Sequence, residues 1–487
     1  MTFISFSFLF FLIVSVFIFH FIPLRYRSGY LLILSYLFYF SWSIPYAFLM
    51  MGSTILFYFI ALTIESKRSK SVKYLTVVLC MQLFILLFFK VLDSQWVQTA
   101  DRLLRFFPRI HSPSLKILMP IGISYYTFKL IGYILDVYWQ KVPAEKRFVD
   151  FASYISFFPQ IVSGPIQRSE DFLSQIKNFH PVKESIIING LQLLLFGFFK
   201  KIVVADRLTN YVSALPDYGP TVLGFACNYV FLFHIYADFS GITDISRGLA
   251  KLFGIQSPKN FNLPFYAPNI QEFWRRWHIS LTSWLRDYLF LPLQLKMRRL
   301  KTWGLYLSLI INMSVIGLWH GLNWNFLVFA LIQSTYMVIS VSTMQIRNSF
   351  FKGRKGLSRI RNIIAPFITF HMVLISFIFL RFENSSHVMT IYKNTFLLIK
   401  ILIKNMDSHF LPWVIKQRLG FGPHEFFILI SSIVIMETIH LFQSRPMWKQ
   451  IWKPSYLWAR WLVYYILLFY IILFGNFESL TFIYAGF

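Results

Sequence analysis

The sequence predicts an all-α protein that crosses a membrane repeatedly, with roughly 10–13 transmembrane or re-entrant helices. Three observations predict it. Hydrophobic residues make up 56% of the 487 positions and charged residues only 14%, against roughly 25% charged in a soluble domain. There are too few charges to coat a globule. Aromatic residues reach 20%, as in chains that meet the lipid–water interface many times. The long runs are apolar on every face, which excludes the alternating segments of a membrane β-barrel.

The first run, FISFSFLFFLIVSVFIFHFI, is close to the ~20 residues a span needs. It lacks a basic start and a small-residue cleavage site, so it reads as a retained helix rather than a signal peptide. Arg25 and Arg27 follow it, which places that end in the cytoplasm and the N-terminus outside. Runs at 29–42 and 45–63 go out and back to the basic loop SKRSKSVK at 66–73, so the parity agrees. A fourth span covers 74–91, and the mixed segment 92–115 reads as interfacial on the outside. The run 117–139 then returns to a loop holding Lys141, Lys146 and Arg147.

The middle, 150–300, is different. FFPQIVSGPIQR, LLLFGFFKKIVVADR and FLFHIYADFSGITDISRG are apolar pieces interrupted by Gly and Pro. Polar, Gly-broken backbone survives at membrane depth only when enclosed by protein or lining a wet cavity. Short or re-entrant helices around an internal chamber are therefore expected. Spans at 303–319 and 324–343 follow, and the loop from Arg347 to Arg361 is basic and so cytoplasmic. The run 363–381 goes out again. If 388–404, with Lys393, Lys400 and Lys404, also spanned, the last two spans (425–441 and 457–475) and the basic RPMWKQIWK between them would be inverted. It is read as an interfacial helix on the outer face. The whole chain, 1–487, is one membrane domain: N-terminal helices over 1–116, a core over 117–343 and C-terminal helices over 344–487.

The net charge of +27 would suggest nucleic acid in a soluble protein. Here Lys and Arg gather in the short loops, as the positive-inside rule expects, and no nucleic-acid motif accompanies them. Cys80 and Cys227 stand far apart inside apolar runs, so no disulfide framework or cysteine-rich metal site is supported.

Ionisable groups inside membrane segments are expensive and must be paired or functional. His20, His234, His371 and His440 stand singly in apolar runs and read as satisfied core or interface histidines. His320 in IGLWHGLNWNF differs. Gly317 and Gly321 let backbone or substrate approach, Asn323 and Asn325 supply amides, and Trp319 and Trp324 supply apolar walls with a polar handle. The bland alternative is a helix-end histidine in an interfacial tryptophan belt. The second cluster is QEFWRRWHISLTSWLRDYLFLPL, with Arg275, Arg276, His278, Arg286 and Asp287 among Trp274, Trp277, Trp284 and Tyr288. On one continuous helix Trp277, Trp284 and Tyr288 would share a side and His278 would face Thr282. Either it anchors the chain to anionic lipid, or its cationic face binds an anionic donor while His278 points into the chamber. Asp206, Asp238 and Asp244 read first as structural partners of Lys or Arg. No HExxH, Walker A loop, GxGxxG or nucleophile elbow is present, and Ser163 in VSGP has no neighbouring base in sequence.

These motifs resemble the membrane-bound O-acyltransferases, and the branch that acetylates alginate-like polysaccharides most of all. The resemblance runs through PIGISYYTFKLIGYILDVY, FFPQIVSGPIQR, GFFKKIVVADRL, YADFSGITDISRGLAKLFGI, the long block NFNLPFYAPNIQEFWRRWHISLTSWLRDYLFLPL, GLWHGLNWNF and the C-terminal FIYAGF. That ending departs from the family's usual FIYFQF. The resemblance implies a funnelled helical core in which His320 is the catalytic histidine and His278 the second characteristic one. Trp319, Asn323, Arg276, Trp277, Asp287 and Asp238 are then candidates for substrate or donor binding, and no metal is expected. It implies an acyl thioester such as acetyl-CoA as cytoplasmic donor substrate, with no permanently bound cofactor. It also implies a polysaccharide or cell-envelope acceptor, an extracytoplasmic acetyltransferase-like partner protein, and residence in the bacterial cytoplasmic membrane. A neutral histidine in a dry pocket can act as general base on a hydroxyl or carry the acyl group covalently. The same chemistry could instead acylate peptidoglycan or teichoic acid. A transporter with polar broken helices is a third class, but it predicts paired inverted halves and the sequence has one polar middle.

Overall fold

In the computed structural model, residues 1–92, 119–214, 222–381, 388–389, 392, 423–444 and 457–477 are described. The expected interfacial segments at 92–115 and 388–404, the RPMWKQIWK linker and the terminal FIYAGF fall wholly or almost wholly outside them. The described residues contain helices and no strand. The protein is an all-α polytopic membrane protein. Seven described helices are long and apolar enough to cross a membrane: Ile44–Ser66, Arg68–Leu92, Glu184–Thr209, Arg298–His320, Trp324–Ser342, Lys355–Leu380 and His424–Gln443. Phe6–Phe21 and Arg460–Phe474 are apolar but shorter.

The chain opens with α1 (Phe6–Phe21), capped by the Ser5 hydroxyl on the Phe8 amide at 3.2 Å. α2 (Arg27–Phe40), α3 (Ile44–Ser66) and α4 (Ser71–Leu92) follow. The run expected to span at 117–139 instead supplies α5, only Ile123–Tyr138 and enclosed along nearly its whole length. It carries Lys129 and Asp136. The Lys129 ammonium donates to the Tyr154 carbonyl at 2.9 Å and to Gln160 Oε1 at 2.8 Å. Protein, not lipid, surrounds α5, and that is how it tolerates a buried cation.

Short α6 (Phe148–Ser156) and α7 (Ser169–Lys177) lead to α8 (Glu184–Phe198). A wide turn of π-helix, Phe199–Ala205, joins α8 to α9 (Asp206–Ala214). α10 (Val222–Leu252) is one unbroken helix of 31 residues. This corrects the expectation of a chain interrupted at YADFSGITDISRG. The glycines there are contact points. A Cβ on Gly248 would lie 2.8 Å from the Gly190 carbonyl oxygen, and one on Gly197 would lie 2.9 Å from that of Gly241. Residue 190 meets 248 and 197 meets 241, so α8 and α10 run antiparallel, backbone against backbone, as small residues permit in membranes.

The basic segments that follow α1, α3 and α5 gather at one end. Lys146 pairs with Glu65 at the end of α3. Lys177 at the end of α7 pairs with Glu145 at 2.5 Å, and Arg27 donates to the His180 carbonyl at 3.4 Å. The α8–α10 crossing puts the C-terminal end of α10 at the same end.

The π-turn places two consecutive lysines inward. Lys200 pairs with Asp244. Lys201 sits between Asp206 at 2.6 Å and Asp238 at 2.7 Å, all three side chains at 2% exposure or less. These carboxylates are thus engaged with lysine, the arrangement first read for them. Replacing Lys201 by Met strands two buried carboxylates and is expected to cost about 3–5 kcal/mol. A triple variant, Lys201→Met with Asp206→Asn and Asp238→Asn, should recover most of that loss. Thermal unfolding of the detergent-solubilised protein measures both, and equal losses would show that the charges do not compensate one another.

Candidate active site

The second histidine cluster is not one helix. α11 (Ile270–Arg276), with Asn269 capping the Glu272 amide at 2.9 Å, stops at Trp277. α12 (Ile279–Leu285) begins after His278, whose backbone is left-handed at φ 45° and ψ 51°. A non-glycine residue in that region is uncommon, and such conformations cluster at functional sites. Asn260 holds the turn. Its carbonyl accepts from the Ile279 amide at 2.9 Å and its Oδ1 from the Ser280 amide at 3.2 Å. The break divides the aromatic stripe predicted for this segment. Trp284 and Tyr288 stay together, 4.8 Å between rings, and the Trp284 indole donates to the Phe128 carbonyl at 3.0 Å. Trp277 turns away into a cage of Phe261, Phe273 and Phe377, with ring centroids 5.1–5.5 Å away.

His320 is the last residue of α13 (Lys301–His320), about 28 Å along the axis from its first residue at 1.5 Å per residue. α14 (Trp324–Ser342) starts four residues later. Between them the Asn323 side chain caps α14 by accepting from the Asn325 amide at 3.0 Å. The glycines expected to admit substrate serve packing instead. A Cβ on Gly317 would lie 2.5 Å from the Phe326 carbonyl oxygen, and one on Gly321 2.3 Å from the Phe326 ring. They fold α14 back against the histidine helix.

Trp319 joins the two histidines. Its ring lies 4.8 Å from that of His320 and 5.9 Å from that of His278. Phe239 closes the far side of His278 at 4.6 Å, and Phe329 stands 6.3 Å from His320. His278 and His320 are 2% and 7% exposed. Neither ring nitrogen of His278 has a hydrogen-bond partner, and neither does the Trp319 indole N–H. Unsatisfied buried polar atoms are rare and require an explanation. Here the neighbouring rings of His278 and Trp319 carry three. A polar group bound between the rings would satisfy the indole N–H and one nitrogen of the imidazole.

The sequence reading did not single out Lys90. From the last turn of α4 its ammonium donates to the Trp319 carbonyl at 2.5 Å and lies 6.0 Å from the Trp319 ring centre. It thereby caps one of the carbonyls a helix end leaves open. The signal was available: a lysine inside LLFFKVL is an intramembrane charge, and such charges mark functional or paired positions.

The other candidates are held elsewhere. Arg276 lies 3.7 Å from Glu272, and Asp287 binds Arg168 and Arg286, each at 2.8 Å. Asp238 pairs with Lys201. The cationic face of the RRWH segment is therefore partly met by acidic groups of its own. His20, His234, His371 and His440 each have a hydrogen-bond partner, although one ring nitrogen of His20 and one of His234 remain without one, so the satisfied reading holds for those two only in part. Among the described residues no group of three or more His, Cys, Asp or Glu could hold a metal.

Residues 145–382 match the membrane-bound O-acyltransferase family. The chain is 33% identical over 401 residues to the probable alginate O-acetylase of Pseudomonas aeruginosa, covering 78% of this chain and 74% of that one. It is 29% identical over 463 residues to the peptidoglycan O-acetyltransferase of Helicobacter pylori, covering 86% and 85%. It is 30% identical over 282 residues to the teichoic acid D-alanyltransferase of Streptococcus thermophilus, covering 53% and 67%.

Lys90→Met would leave the Trp319 carbonyl buried without its ammonium partner. The expected loss is about 1–3 kcal/mol, read as a lower thermal midpoint of the solubilised protein. An unchanged midpoint would mean that the histidine helix does not depend on α4.

Proposed function

The chain belongs to the membrane-bound O-acyltransferase family and is an O-acyltransferase, and from that premise we propose that it carries an acetyl group from a cytoplasmic thioester, such as acetyl-CoA, toward hydroxyls of an extracellular or cell-envelope polysaccharide. The observation that supports this most is the cluster of His278, Trp319 and His320, in which both ring nitrogens of His278 and the Trp319 indole N–H lack partners. His320 takes the proton of the acceptor hydroxyl as its oxygen attacks the thioester carbonyl carbon. The C–O bond forms, the C–S bond breaks, and the proton passes from the imidazole to the departing thiolate. His278 and the Trp319 indole hold the reacting carbonyl. General-base action of this kind contributes roughly 10²–10⁴-fold in rate. In the covalent alternative His320 itself carries the acetyl group between donor and acceptor.

We assign the end with the basic loops to the cytoplasm on the strength of the positive-inside rule, and the N-terminus to the outside. We place the chain in the bacterial cytoplasmic membrane, with an extracytoplasmic acetyltransferase-like partner completing the transfer. A second acceptor, peptidoglycan, is favoured by the extent of the match to the H. pylori enzyme, 85% of its length.

In a deletion strain complemented at matched membrane levels, wild type should restore envelope O-acetyl content. His320→Ala should lower transfer at least ~100-fold. Restoration by both would refute a catalytic His320. Ester analysis of separated exopolysaccharide and peptidoglycan identifies the acceptor, and acetyl loss confined to peptidoglycan would replace the polysaccharide reading. For His278, Asn is the informative substitution because it tolerates the left-handed backbone. His278→Asn should keep the fold and lose transfer, whereas an active variant would make the imidazole dispensable.

A further inference from the structure

Apart from the histidines, α8 and α10 form one side of a cavity of about 460 Å³. The other side is built by α15 (Pro423–Ser444) and α16 (Leu457–Phe474), and the loop 259–263 closes it. Its walls are of two kinds. Leu193, Phe196, Ile439, Phe442, Val463 and Leu467, all on membrane helices, supply apolar surface. Arg247, Lys251 and Lys259 supply positive charge, and Lys200 adds a fourth cation.

That charge is not balanced. Among the described residues Asp244 is the one acidic group in the lining, and it already serves both Lys200 and Arg247, the latter at 3.2 Å. Lys251 and Lys259 have no carboxylate partner among the described residues, and the charges of Arg247 and Lys259 both bear on Lys251. The lining also holds Ser240, 2% exposed, whose hydroxyl oxygen has no hydrogen-bond partner. Uncompensated cations beside an apolar slot and an unused buried hydroxyl form a receptor for an amphiphile with an anionic head.

The place narrows the class. The cavity lies at the end of α10 that carries the basic loops. In sequence, α15 and α16 are linked by RPMWKQIWK, which alternates tryptophan with cations, a composition common at lipid headgroups. We propose that this cavity binds the phosphate of an anionic phospholipid, with Arg247, Lys251 and Lys259 on the headgroup and an acyl chain along α15 and α16. Its far wall touches the chemistry. Asn260, which holds the His278 turn, donates its amide N–H to Thr243 in the cavity wall at 3.4 Å. A bound lipid would brace that turn from behind.

The test uses the full chain, purified in neutral detergent and titrated with phosphatidylglycerol or with phosphatidylcholine of the same acyl chains. Binding is read by native mass spectrometry and by the thermal midpoint. Phosphatidylglycerol should bind and raise the midpoint, while phosphatidylcholine should do neither. Lys251→Gln with Lys259→Gln should weaken phosphatidylglycerol about 30-fold, since each basic residue near anionic lipid contributes roughly 1 kcal/mol and ~1.4 kcal/mol is tenfold. Lys251→Arg with Lys259→Arg should bind like wild type, which separates lost charge from damaged fold. Equal binding of phosphatidylglycerol to the Gln variant and to wild type overturns the proposal. So does coenzyme A, rather than lipid, binding in a manner that needs these lysines. Neither result depends on acetyl transfer, so the site can fail while the proposed activity stands.

Discussion

Lys201 between Asp206 and Asp238 is the interaction on which the core of this protein depends. Three charges with exposures of 2% or less persist at membrane depth only because each is met by the others, and losing one partner would strand the rest. The pairing requires the π-turn at Phe199–Ala205, which presents Lys200 and Lys201 together to α10. It also requires α8 and α10 to lie backbone to backbone, which the Gly190–Gly248 and Gly197–Gly241 contacts allow. Ionic pairing and close packing here are one feature: neither is available without the other.

That rigid pair supports the site at one remove. α10 presents Phe239 to the face of His278, and Thr243 reaches Asn260, which fixes the left-handed turn. His320 arrives from a different direction, at the end of a 20-residue helix held by Lys90 from the N-terminal region. The two imidazoles thus belong to separately anchored elements and meet across Trp319. Nothing local to either segment would bring them together. A site assembled in this way can keep unsatisfied nitrogens in place, because the surrounding packing resists the small collapse that would bury them against apolar walls.

Buried polarity has three uses in this chain. The lysine–carboxylate set is structural and closed on itself. His278 and Trp319 keep three buried nitrogens without partners from the chain, which suits a transient reactant. The cavity between α8, α10, α15 and α16 carries an excess of positive charge, which suits a persistent anion. The distinction rests on whether each group's partner is supplied by the chain.

The sequence by itself determined the class and the principal residues. An apolar excess and a shortage of charge force most helices to face lipid, so the spans at Ile44–Ser66, Trp324–Ser342 and their like were legible from composition alone. His320 and His278 stood out because imidazoles flanked by tryptophan and glycine are costly to place without purpose. Tertiary structure decided what glycine and charge meant. Periodicity cannot tell a glycine that breaks a helix from one that lets two helices touch, so the unbroken α10 and the packing roles of Gly317 and Gly321 emerged only in three dimensions. Nor can it reveal that the RRWH segment breaks at His278, because Asn260, lying 18 residues upstream of that turn, stabilises it. Lys90 is separated from Trp319 by 229 positions, and no local pattern encodes a contact made across the fold.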